Sequence, residues 1–175
     1  LCLNISQPSA SVSIIQNNIK QVTCIGGTDG LIDISSSGGR PPYVYFWSNG
    51  ATTQDLSNLI DGTYYLQVTD SSGCFSSETY LITTSSNLSV SASEDSTVCI
   101  GVQITINAIA TSSVGGISYS WQDGTIGGSR NVGIGAYVVT AKDANGCLAL
   151  DTVFIFNHPF FVVNDSIIPI RCFGD

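Results

Sequence analysis

The stretch "GTYYLQVTDSSGC" (residues 62–74) returns as "GAYVVTAKDANGC" (residues 135–147), and this pair decides the fold. Each copy opens on Gly, alternates inward and outward positions along a run of strand-forming residues, and reaches an Asp. Each then turns through a Gly and closes on Cys. Period-two alternation marks a strand with one buried face. Asp four residues ahead of the end of a turn that carries Gly is ordinary tight-turn chemistry. The residues leading in, "LIDGTY" (59–64) and "VGIGAY" (132–137), have the L-x-x-G-x-Y form of a tyrosine corner, with Val for Leu in the second copy.

Working outward, other landmarks keep the same period of about 73 residues. Trp47 matches Trp121, Gly50 matches Gly124, Tyr64 matches Tyr137 and Asp70 matches Asp143. The cysteines form two interleaved series. Cys74 and Cys147 close the motif just described, and Cys2 keeps the same spacing ahead of them. Cys24, Cys99 and Cys172 open "CIGG", "CIGV" and "CFGD". The reading is two full repeats, residues 10–84 and 85–158. Residues 1–9 read as the end of a preceding repeat and 159–175 as the first strand of a following one.

Within a repeat, strands are expected near residues 11–15 and 88–92, then 31–35 and 104–110. A Gly-rich turn follows, then an aromatic strand at 43–47 or 117–121. A polar stretch leads to the opening motif and to a last strand at 75–83 or 148–156. Short strands at this spacing, with a central Trp, predict tandem immunoglobulin-like, PKD-like β-sandwiches, an all-β fold.

Composition limits function. The 175 residues carry a net charge of −8 and only five Lys or Arg. A nucleic-acid partner needs a basic face to displace counterions, and this chain has none in its sequence. The single His158 and the two glutamates, Glu78 and Glu94, leave no material for a Ser-His-Asp site or a paired-carboxylate glycosidase, so no catalytic residue is assigned. No cofactor is expected. Ca²⁺ is the one ion considered, at the acidic turns of Asp29, Asp70 and Asp143. Each turn offers one carboxylate where calcium wants six to eight oxygens.

Comparing the repeats singles out a candidate contact patch. Tyr43, Tyr45 and Trp47 align with Ile117, Tyr119 and Trp121 and are expected to face inward. The opposite side carries Val44 and Phe46 in the first repeat but Ser118 and Ser120 in the second. Tyr65 is expected to point outward beside them. Val44, Phe46 and Tyr65 would then be an apolar patch on the first repeat alone, suited to stacking on a sugar or docking another chain. The alternative is cover by a loop or by the adjacent repeat.

The run "C-x-G…D-G…G-G-x-P-P-Y-x-Y-x-W-S-N-G-A-T-T-Q…L-x-x-G-T-Y-x-x-x-V-T-D-x-x-G-C", from Cys24 to Cys74, resembles the SprB repeat. That repeat occurs in tandem in giant surface adhesins of gliding Bacteroidetes. Residues 99–147 are a degenerate copy, with no Pro-Pro after the Gly pair and "WQDG" for "WSNG". The resemblance implies a non-enzymatic stalk segment of a secreted cell-surface adhesin. It would be exported by type IX secretion, held at the outer membrane, and partnered by neighbouring repeats and the gliding machinery. External polysaccharide is a further possible partner, and a polysaccharide-binding module is the alternative function. "DTV" and "DSI" resemble the O-glycosylation sequence of this phylum, which makes Thr152 and Ser166 candidate acceptors.

Six cysteines suit an oxidising compartment. The pairing expected here is Cys24–Cys74 and Cys99–Cys147, with the partners of Cys2 and Cys172 outside the fragment. Each bridge would close a loop of about 50 residues, worth roughly 4 kcal/mol on a chain-entropy account. One alternative stays open. In an immunoglobulin-like topology the two cysteines of a repeat can fall at opposite ends, and the bridges would then join neighbouring repeats.

Overall fold

The computed structural model describes residues 11–158, so Cys2, Cys172 and Ser166 lie outside the described residues. The chain divides into two units between Ser86 and Asn87. This is two residues past the boundary expected from the repeat, because residues 84–86 still pair within the first unit.

The first unit comprises β1 (Ser13–Lys20), β2 (Val22–Cys24), β3 (Gly30–Ser37), β4 (Val44–Trp47), β5 (Leu56–Leu59), β6 (Gly62–Thr69), β7 (Phe75–Ile82) and β8 (Thr84–Ser86). One sheet has the order β1-β3-β5 and another β4-β6-β7. After Thr83 the last strand continues as β8, which pairs in parallel with β2. The first strand therefore leaves one sheet and joins the other. Gln21 sits at that switch, and its side-chain oxygen accepts from the Thr83 amide and, at 3.1 Å, from the Thr83 hydroxyl. These bonds satisfy backbone that the broken ladder leaves open.

The second unit repeats the plan with β9 (Ser89–Ala92), β10 (Ser96–Val98), β11 (Ile104–Thr111), β12 (Ser118–Trp121), β13 (Ser129–Val132), β14 (Gly135–Lys142) and β15 (Leu148–Asn157). Its sheets run β13-β11-β9 and β10-β15-β14-β12. Here two carboxylates bridge the switch. Asp151 accepts from the Ala92 amide at 2.8 Å, and Asp95 accepts from the Phe154 amide at 2.8 Å.

The fold is all-β with immunoglobulin-like sandwich units. Three expectations needed correction in detail. The first strand reaches Lys20 rather than ending near residue 15. The polar stretch before the tyrosine corner holds a short strand in each unit, β5 and β13. The parallel pairs β2–β8 and β10–β15 were not foreseen.

Each core follows the alternation read from sequence. Trp47, Leu66, Val68, Ile32 and Ile34 are fully buried in the first unit. Trp121, Val139, Val153 and Ile106 occupy the second. Each Trp is anchored alike: Nε1 of Trp47 donates to the Thr53 carbonyl at 2.8 Å, and Nε1 of Trp121 to the Gly127 carbonyl at 2.8 Å. Burying such a ring removes about 150–250 Å² from water, on the order of 4–6 kcal/mol. Both tyrosine corners form. Tyr64 donates to the Ile60 carbonyl and Tyr137 to the Gly133 carbonyl, each at 3.1 Å.

Candidate functional site

Three groups of residues position what these sandwiches could do: the outer face of the β4-β6-β7 sheet, the acidic turns, and the cysteines.

The ladder registers place the outer face in rows. Val44 lies opposite Thr69, which lies opposite Phe75. Phe46 lies opposite Gln67, and Tyr65 opposite Thr79. Phe46 and Tyr65 are diagonal neighbours across the β4–β6 pair, within reach of aromatic side chains. Val44, Phe46 and Tyr65 are 63%, 59% and 40% exposed, so the residues singled out by sequence do share one open face. The expectation that only the first unit has such a patch was incomplete. In the second unit Ser118 and Ser120 are polar, but β15 presents exposed Leu148, Leu150, Phe154 and Phe156 on the same outer face. Phe154 and Phe156 stack with ring centroids 6.0 Å apart. Comparing β4 and β6 with β12 and β14 missed them, since they lie on the last strand, where the first unit likewise exposes Phe75 and Leu81. Thr152, the candidate acceptor, is half-buried on β15 opposite Val138.

The acidic turns are organised around backbone amides. Asp70 accepts from the amides of Ser72 and Cys74 on one oxygen and from Arg40 on the other, at 2.8–2.9 Å. Burial works to raise its pKa, but the amide bonds from Cys74, Arg40 and Ser72 outweigh that and hold it below the usual carboxylate range. Asp143 copies the arrangement, taking the amides of Asn145 and Cys147 at 3.0 Å and the Ser112 hydroxyl at 3.0 Å. Asp29 accepts from Lys20 Nζ at 2.8 Å and from the Thr23 amide and hydroxyl. The Lys20 bond, then those from Thr23, hold its carboxyl well below the usual range. All three candidate Ca²⁺ ligands thus face hydrogen-bond donors of their own unit. Among the described residues no three His, Cys, Asp or Glu side chains cluster closely enough to hold a metal.

A polar group that sequence reasoning missed is Arg130. It forks onto Asp123 at 2.9 and 2.7 Å, with its guanidinium over the rings of Trp121 and Tyr137 at 5.5 and 5.3 Å. The Asp123 bonds push its pKa up. The Asp123 fork and the two rings make it a clamp on the corner of the second unit.

Cys24, Cys74, Cys99 and Cys147 are all disulfide-bonded. Their positions within each unit correct the expected pairing. Cys74 ends the turn that Asp70 holds, immediately before β7. Cys24 lies opposite Ser86, the last residue of β8. Extended chain from residue 75 to residue 86 spans about 35 Å at 3.3 Å per residue. Bridged Cα atoms must lie within about 7 Å. Cys24–Cys74 therefore does not fit. In the second unit Cys147 precedes β15 while Cys99 follows Val98, which pairs with Asn157 at the far end of β15. Those two are about 30 Å apart by the same rise, and Cys99–Cys147 does not fit either.

A comparison with curated protein sequences found no match. Similar solved structures include the two immunoglobulin domains of DIP-gamma, at 15% identity and a TM-score of 0.44, covering 86% of this chain and 99% of that one. Three N-terminal domains of the bacteriophage RB49 outer capsid protein Hoc align at 15% identity and a TM-score of 0.39, covering 84% and 59%. A C-terminal fragment of intimin, solved with the translocated intimin receptor, aligns at 13% and 0.36, covering 79% and 63%. None of the three bears on function, and the fold rests on the ladders above. The family comparison is more specific, for it falls on the Cys24, Gly-Gly and Trp47 landmarks: residues 16–52 match the SprB repeat.

Proposed function

We propose that this chain is a non-enzymatic stalk segment of a secreted cell-surface adhesin used in bacterial gliding and surface attachment. The observation that carries the reading is the SprB-repeat match over residues 16–52, set in a chain that writes the same sandwich twice. Its partners on this reading are neighbouring repeats, the type IX secretion apparatus and the gliding machinery. The units act as spacers that project a distal contact site and bear shear. The residue inventory supports this reading: Asp70 and Asp143 are engaged with backbone amides, and His158 is the sole imidazole in the sequence.

A second reading, direct polysaccharide binding, is favoured by one observation, the exposed Val44, Phe46 and Tyr65 on one sheet face. A glycan array probed with the 175-residue chain separates the two. The stalk reading expects no saturable binding to any glycan class. Tight binding to one class, lost in a Phe46→Ser/Tyr65→Ser variant, would replace it with the second reading.

A further inference from the structure

In the first unit β7 is the edge strand of its sheet, and β6 fixes where its backbone groups point. The Tyr65 carbonyl accepts from the Ser48 amide at 2.9 Å, and the Tyr65 amide donates to the Ser48 hydroxyl at 3.1 Å. Odd-numbered residues of β6 thus bond toward β4 and even-numbered ones toward β7. Tyr64, Leu66 and Val68 lie opposite Tyr80, Glu78 and Ser76. Ser77, Thr79 and Leu81 are left with both amide and carbonyl directed away from the sheet. Thr83, next in the series, shows the same direction: its amide donates to the Gln21 side chain, and its carbonyl accepts from the Val22 amide at 3.0 Å. Among the described residues no group pairs with the outward amides of Ser77, Thr79 and Leu81. The second unit closes the same edge with carboxylates. Thr152 and Phe154 stand where the first unit has Thr79 and Leu81. Asp151 accepts from the Thr152 amide and Asp95 from the Phe154 amide, each at 2.8 Å, and β10 pairs from Ile155 onward. Counted from the matching Cys24 and Cys99, Lys20 stands in the place of Asp95. A lysine has no acceptor, and this one is held by Asp29.

An unpaired sheet edge is a template for a further strand. We infer that β7 is a strand-addition edge and that its occupant is β7 of a second copy of this chain, antiparallel across a two-fold axis. Two observations select a copy. Ser77, Thr79 and Leu81 each offer one donor and one acceptor at every second residue, and that pattern complements itself when reversed. Glu78 is the one charged residue on β7, so two chains of net charge −8 meet along a strand that brings a single carboxylate from each. That carboxylate also sets the register. Centring the pair on Glu78 would put like charges directly opposite. Centring it on Thr79 places Thr79 against Thr79, Ser77 against Leu81 and Glu78 against Tyr80, and every outward group of the three residues is used. The contact is short, so the pairing belongs to the weak, transient class.

This pairing goes beyond the stalk reading and does not depend on it. Sedimentation velocity of the 175-residue chain, with free thiols alkylated, tests it over roughly 1 μM to 1 mM. The mass is expected to rise from one chain toward two. Thr79→Pro removes an outward amide and no bond to β6, so it is expected to weaken association by about tenfold or more with the far-UV circular dichroism unchanged. Thr79→Lys is expected to do the same by setting two ammonium groups opposite each other. Mixing Thr79→Lys with Thr79→Glu is expected to restore a dimer of one chain of each, which only the Thr79-centred register allows. A chain that stays single over the whole range overturns the inference. So does a dimer that persists in both Thr79→Pro and Thr79→Lys, or a Lys/Glu mixture that associates no better than Thr79→Lys alone.

Discussion

Gly39→Ala tests the packing of the Arg40 turn in the first unit most directly. Gly39 has φ of +59°, and a Cβ there would lie 2.6 Å from Asp70 Oδ2 and 2.8 Å from Val12 Cγ2. The left-handed backbone alone costs an L-residue roughly 1–2 kcal/mol. Forcing a methyl into occupied space adds about 1–3 kcal/mol. The sum is about 2–5 kcal/mol, which for a domain of this size lowers Tm by about 10–30 °C. Gly50→Ala is the control. Its φ is +85° and its Cβ would meet nothing within 4 Å, so only the backbone term remains. Thermal unfolding followed by Trp fluorescence, in a Trp121→Phe background so that Trp47 reports alone, separates the two. Equal losses in the two variants would refute the packing of the Arg40 turn on Asp70 and Val12, and with it the placement of Cys74.

Tyr64→Phe and Tyr137→Phe should each cost about 1 kcal/mol through the lost corner bond, measured by urea denaturation. The Asp70 carboxyl has a folded-state pKa below its ordinary value of about 3.9, so its stabilising effect is present above that value and fades as pH falls through the depressed one. Acid titration of unfolding should therefore be flatter below about pH 4 in Asp70→Asn than in the unsubstituted chain. Val44→Ser, Phe46→Ser and Tyr65→Ser should each change stability by no more than about 0.5 kcal/mol, since all three side chains are exposed. A larger loss would mean that the face is part of the fold's support.

The long strands were legible because a buried face repeats at every second residue. β6 and β14 carry Leu66 and Val68, and Val139 and Ala141, in that rhythm, and the corner tyrosines fixed where each strand begins. The short strands were not. "VTC", "TSS" and "STV" are too brief and too polar to show a period. They are strands because a distant segment offers them a ladder. Arg130 was hidden for a similar reason. Asp123 is seven positions away, and only the folded corner brings Trp121 and Tyr137 to the same guanidinium. The cysteines gave the repeat its period, yet spacing along a chain does not say which end of a sandwich each one reaches. The registers at Ser86 and Asn157 do.

The parallel pairing of β2 with β8 has a mechanical consequence. β2 is tied through β1 to the incoming chain, and β8 runs directly into the outgoing one. Tension applied along the polypeptide draws these two strands past each other lengthwise. Their hydrogen bonds are then strained together, side-on, instead of opening one at a time from an end as a hairpin's would. β10 and β15 give the second unit the same lock. A sandwich closed in this way resists a steady pull better than its modest number of terminal bonds suggests, and yields abruptly when it yields.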